Sequence, residues 1–297
     1  FDGIDTSLPA LASRVAEAES RAPWLRPGLE QIAKRVEEAD KLSDKHPEEA
    51  AQPLLEGRKL TQELAEKIRA SELSPLEKAD LLATLQTKKH EFQQASNLAL
   101  GLELGAGPGT PDGRPMAETF GPLGEETLAA VITAGKPFLM VAKLYNGSKS
   151  PLEIADFKVD APVGWQSELF LDHIPKRVAP GDGCSVMFRV MPPIDAKVTK
   201  QYFRRGNPET DTVYQIEEPE YETLALPPPP VSVHVVYRIE GESGLISSVA
   251  RTPVHDTHDH AWSMPLAVMP PFSVATSPAT QVLRAGDSTP AELSVVV

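Results

Sequence analysis

Apolar positions in residues 1–100 recur every three or four residues, the period of a helix that buries one face. Ile32, Val36 and Ala39 make one stripe, and Leu60, Leu64 and Ile68 a second. Leu81, Leu85, Phe92, Ala95 and Ala99 make a third, with polar Lys88, Lys89 and Glu91 between them. The pattern predicts four helices, near 7–21, 28–43, 48–71 and 75–99. Ser7 caps the first, with Pro9 in its first turn. Pro23 and Pro27 interrupt it, because proline lacks the amide donor that a helix interior needs. Pro47 or Pro53 opens the third. The strongest signal is Ser74-Pro75-Leu76-Glu77, with a serine cap, proline at the first helical position and glutamate at the third. Short connections imply antiparallel neighbours, hence an up-and-down helical bundle over residues 1–100.

Glycines and prolines between Gly101 and Gly113 end this pattern, and residues 101–117 read as a linker. From about residue 118 the period becomes two. Thr127–Thr133, Phe138–Tyr145, Ile154–Val159, Cys184–Val190 and Val231–Ile239 read as short strands, with turn signals such as Asn146-Gly147-Ser148 between them. In the last of these, Val231, Val233, Val235, Tyr237 and Ile239 share one face. Many short strands at close turn spacing predict an immunoglobulin-like β-sandwich over 118–269. After Pro270-Pro271 the pattern restarts, and residues 270–297 read as the start of a second sandwich. The predicted class is therefore α+β multidomain: a helical bundle, an all-β sandwich and the beginning of another.

Composition narrows the function. Six of the 29 prolines lie in the first 100 residues, where they delimit helices; the rest mark strand ends and joints. The net charge of −13 has the wrong sign for a nucleic-acid surface, so nucleic acid is not an expected partner. No apolar run approaches the roughly 20 residues that cross a bilayer, so no transmembrane segment is predicted. The single cysteine, Cys184, excludes an internal disulfide and reads as a core residue of an alternating strand. Because the chain opens at Phe1 and stops inside Glu292–Val297, we expect a piece of a longer polypeptide.

Two segments hold candidate chemistry. His255-Asp256-Thr257-His258-Asp259-His260 has the H-x-x-H-x-H spacing from which His255, His258 and His260 can recruit zinc; its place between two proline-containing strands also fits a polar surface loop. Tyr202-Phe203-Arg204-Arg205 combines rings and guanidinium groups able to dock a carboxylate or a sugar, or equally to pack on their own domain. Trp165 and Trp262 are further candidates for a stacking surface. There is no nucleophile elbow and no phosphate loop, so no catalytic residue is assigned.

One resemblance spans nearly the whole chain. Pro192-Pro193-Ile194-Asp195-Ala196, then Tyr202-Phe203-Arg204-Arg205, then Pro227–Pro230 leading into Val231–Arg238, resembles the region that follows the catalytic domain of large bacterial PIG-L/LmbE-type deacetylases. Phe1–Ser7 is similar to the start of that region's helical segment, Lys89–Ala95 to its last helix, and Met264–Pro271 to the strand leading into the next β-domain. The family's A-H-P-D-D motif does not occur here; His46-Pro47 is followed by Glu48-Glu49. The resemblance thus implies a non-catalytic accessory region of a zinc-dependent N-deacetylase acting on N-acetylated sugars, with zinc only in a catalytic domain outside this sequence. That domain in cis would be its partner, with a glycan or the cell surface as a further one, and the parent would be an exported bacterial protein. A carbohydrate-binding module is the alternative, and a metal-dependent hydrolase built on the His255–His260 cluster a second one.

Overall fold

The computed structural model describes residues 5–109, 131–170, 174–207, 209–255, 261–270, 272, 275–277 and 294–296. Helices come first and antiparallel sheets follow, an α+β arrangement. The first predicted helix splits into a 3-10 segment, Leu8–Arg14, and a single turn, α1 (Ala18–Arg21), with Glu17 between them in the left-handed region at φ 53°. α2 (Leu25–Ser43) starts ahead of Pro27 and α3 (Ala51–Ala70) ahead of Pro53. Each proline sits in a first turn, where amide donors have no intrahelical acceptor to lose. α4 (Pro75–Ala99) begins with the predicted capping box: Glu77 N–H donates to Ser74 Oγ at 3.3 Å, and Ser74 N–H to Glu77 Oε2 at 2.8 Å.

Leu25, Leu29, Ile32, Leu64, Ile68, Leu81, Leu85 and Phe92 form the bundle core. α3 and α4 approach closely where α3 has no side chain: a Cβ on Gly57 would lie 2.5 Å from the Phe92 ring.

The stretch read as a linker from its glycines is, over Leu102–Pro108, strand β1. Gly101, at φ +61°, turns the chain from α4 into it. Each glycine of β1 exposes backbone that pairs with its neighbour, so the low side-chain content that resembles a linker leaves room for a sheet edge. β3 (Phe138–Asn146), β4 (Leu152–Asp160), β7 (Gly183–Met191) and β10 (Ser232–Ile239) match predicted strands. Of the strand expected at 127–133, only β2 (Val131–Thr133) falls among the described residues. Further strands are β5 (Gln166–Leu169), β6 (Arg177–Val178), β8 (Phe203–Arg204), β9 (Gln215–Ile216), β11 (Glu242–Val249), β12 (Arg251–His255), β13 (Ala261–Pro265) and β14 (Ala267–Met269). β15 (Ala275–Ser277) pairs with β16 (Ser294–Val296).

Two four-stranded antiparallel sheets result, β1-β3-β7-β5 and β11-β10-β4-β6. They share one core: Met140, Ala142 and Leu144 of β3 and Val186, Phe188 and Val190 of β7 from the first; Phe157 of β4 and Val233, Val235, Tyr237 and Ile239 of β10 from the second. Ala51 and Leu55 of α3 belong to this same core, whereas Leu64 and Ile68, farther along the helix, belong to the bundle. α3 therefore stitches the two bodies together.

Candidate functional site

The segment 194–226 leaves the sheets and folds on itself around aromatic rings. Tyr202 is buried and donates its hydroxyl to Leu224 O. Its ring meets Phe203 edge-on at 5.1 Å, and Phe203 meets Tyr214 edge-on at 5.1 Å, the geometry favoured by aromatic quadrupoles. The cations are occupied from within. Arg204 Nε and Lys200 Nζ both pair with Glu217, the latter at 2.7 Å; Lys197 pairs with Glu218 at 2.9 Å; and Arg205 lies over the Tyr214 ring at 5.5 Å. Hydrogen bonding from Lys200 pulls the Glu217 carboxyl below its ordinary range. Glu217 and Glu218, from the acidic run 217–222, are counter-ions of the basic residues. Four of the six residues singled out as a docking surface thus pack on their own segment.

The two tryptophans differ. Trp165 is half-buried against the sandwich core, while Trp262 on β13 is 46% exposed. His258 and His260 lie outside the described residues, and His255 is placed only as the last position of β12, paired in register with Ala261. Among the described residues no group of three or more His, Cys, Asp or Glu is arranged to hold a metal. Burial raises the Cys184 thiol above its ordinary pKa, as a core cysteine requires.

The most elaborate polar arrangement lies where the helices meet β11. Asn97 Nδ2 donates to Leu245 O at 3.0 Å, and Leu245 N–H donates to Gln93 Oε1 at 2.9 Å. Gln93 and Asn97 are four residues apart, on one helix face. Two side-chain amides of α4 therefore satisfy the backbone of an edge strand as a neighbouring strand would. Gln93 Nε2 donates to Asn97 Oδ1 at 3.1 Å, and Tyr237 Oη donates to the same oxygen at 2.7 Å. Burial pushes the Tyr237 phenol up to about 12, so it stays a donor. Arg58 of α3 donates to Ser243 O at 2.9 Å, one step along the same edge. At the other end of the junction, Glu48 grips Lys149 through its backbone N–H at 2.7 Å and its ammonium at 2.8 Å, which holds the Glu48 carboxyl low and the lysine high. A cleft of about 280 Å3 beside this pair is lined by Gln52, Leu55, Ser150 and Glu240.

Sequence reasoning did not single out Gln93 and Asn97. The available signal was two amides beside the apolar stripe of α4, next to a serine, Ser96, that proves fully buried.

No family model matches the chain, and no curated protein matches it. Among solved structures it overlaps the VesB protease of Vibrio cholerae, at 14% identity over 40% of this chain and 28% of that one, with a TM-score of 0.23. The secreted serine protease VesC of Vibrio cholerae gives 8%, 50%, 22% and 0.23 in the same order. The alkylpurine DNA glycosylase AlkC of Pseudomonas fluorescens, bound to DNA containing an abasic site analog, gives 13%, 86%, 54% and 0.18. The chain spans well under two thirds of each of these proteins, and likenesses at those TM-scores carry no argument about fold or activity.

Proposed function

We propose that this chain is the accessory region of a larger zinc-dependent N-deacetylase, serving to dock, space or attach a catalytic domain that lies outside this sequence. In this reading amide hydrolysis on N-acetylated sugars, and the zinc it uses, belong to that domain. The two shared-core sheets are an immunoglobulin-like sandwich, β15 and β16 open a second, and the whole is exported. The observation that carries the reading is the junction: α3 contributes to both cores, and α4 binds the backbone of β11 at Leu245. A spacer has to transmit position, and a helical body joined to a sandwich by packed and fully hydrogen-bonded contacts does so where a flexible tether does not.

Small-angle scattering of the whole chain tests the spacer: one rigid particle is expected, unchanged between low and high salt, and a distribution of bundle-to-sandwich arrangements would refute it. Release of acetate from N-acetylglucosamine substrates by this chain alone would equally remove the accessory role. A second reading, glycan attachment, draws on the half-exposed ring of Trp262. It predicts retention of the chain on insoluble N-acetylglucosamine polymers and loss of retention in Trp262→Ala.

A further inference from the structure

Three strands of the second sheet bring a serine, a histidine and an aspartate onto one outward face. Val233, Val235 and Tyr237 point into the core, so His234 points out. It stands directly opposite Ser247 on β11 and opposite Lys158 on β4, with Asp160 two residues farther along that strand. Ser247 Oγ lies 3.1 Å from His234 Nδ1, and Asp160 Oδ2 lies 3.5 Å from His234 Nε2. The carboxylate favours the tautomer with its proton on Nε2, which leaves Nδ1 as the acceptor facing the serine hydroxyl. Lys158 Nζ is drawn to Asp156 Oδ2 at 2.5 Å instead of to Asp160. A nucleophile, a base and a group that orients the base are thus in the order that activates a serine.

We propose that Ser247, His234 and Asp160 form a reactive-serine site that takes the acyl group of small, unhindered esters. This goes beyond the accessory reading and does not rest on it. Ser243 and Leu245 turn their backbone groups away from β10 towards the helices, and the two-residue period of the strand turns the Ser247 N–H to the same side. The nucleophile's own amide is then the donor for the developing oxyanion. In the first step Ser247 Oγ bonds to the acyl carbon while its proton passes to His234 Nδ1. The ester C–O bond breaks, and that proton leaves with the alkoxide as an alcohol. In the second step water gives a proton to Nδ1 and its oxygen to the acyl carbon. The Oγ–acyl bond breaks, a carboxylic acid departs, and Oγ recovers a proton from the imidazole. Ser247 is exposed and Asp160 sits on an open sheet face, so the site suits small, unhindered acyl groups.

The test treats the whole chain with a fluorophosphonate probe and with p-nitrophenyl acetate. Mass spectrometry is expected to find the phosphonyl group on Ser247, and hydrolysis to fall about 100-fold in Ser247→Ala and in His234→Ala, the scale of a lost nucleophile–base pair. Ser248→Ala, at the neighbouring strand position, should keep both properties. In Asp160→Asn kcat should fall with KM unchanged, because the imidazole loses the group that orients it while the surface that binds the ester stays as it was. A folded protein that takes no label at Ser247, parental hydrolysis in Ser247→Ala, or a parental kcat in Asp160→Asn would each overturn the proposal.

Discussion

Asn97 makes three hydrogen bonds with one side chain, and the direction of each can be tested separately. Its Nδ2 gives a proton to Leu245 O; its Oδ1 receives protons from Tyr237 and Gln93. Asn97→Asp keeps the acceptor but sets a carboxylate oxygen against a part-buried backbone carbonyl, and should cost about 1–3 kcal/mol, the penalty of an acceptor left without its donor. Gln93→Glu keeps the acceptor for the Leu245 N–H but sets a carboxylate oxygen against Asn97 Oδ1, at a buried position, and should cost at least as much. Urea midpoints of the two variants check this, and unchanged midpoints would mean that the amide directions do not matter. Asn146 is a second such residue. Fully buried, it donates to Ser150 O, Val178 O and Ala179 O and accepts from Ser148 N–H and Oγ. Asn146→Ala strands several of these groups at once, so its measured loss should exceed that of Asn97→Asp. The turn at Asn146 and the inward face of Tyr237 were legible from local pattern. Their partners were not: Tyr237 and Asn97 are 140 residues apart, and no local period links them.

Among the elements, α4 was the most legible, because a capping box is a local device. Its electrostatics extend the prediction. The Arg21 guanidinium, followed by hydrogen bonds from Ser74, holds the Glu77 carboxyl down to about 2 from an ordinary 4.5. A depressed carboxyl stabilises the fold above its unfolded pKa and loses that contribution as pH falls through the folded one. Stability should therefore decline between about pH 4.5 and pH 2 in part through this group, and Glu77→Gln should flatten that stretch of the stability–pH curve. Gly57 tests the α3–α4 contact: Gly57→Ala gains helix propensity, yet its Cβ meets Phe92, and overpacking of this kind costs about 1–3 kcal/mol. A raised melting temperature in this variant would contradict the close approach. β1 and β11 were the least legible elements. β1 reads Leu-Glu-Leu-Gly-Ala-Gly-Pro and β11 reads Glu-Ser-Gly-Leu-Ile-Ser-Ser-Val, with glycine and serine where strand propensity asks for branched residues. Both are sheet edges, where small residues are tolerated and pairing comes from partners elsewhere in the chain.

For the molecule as a whole, the junction predicts cooperativity. Trp24 reports on the bundle, with Lys67 Nζ 4.9 Å above its ring, and Trp165 on the sandwich, so unfolding can be followed in each body. In single-tryptophan variants the two fluorescence transitions should coincide with the loss of helical circular dichroism, and separated midpoints would mean that the bodies unfold independently. Local period and capping were enough to assign three long helices, four of the main strands and the buried face of β10, because each depends on residues within a turn or a pleat of one another. Only the tertiary structure decided that the first predicted helix breaks at Glu17, that the supposed linker is β1, that Glu217 and Glu218 are counter-ions of basic residues in 194–226, and that α4 closes the edge of β11. Those outcomes depend on which distant groups supply a hydrogen-bond partner or a counter-charge. A hydrophobic pattern records how often a side chain turns inward, and carries no information about what it meets there.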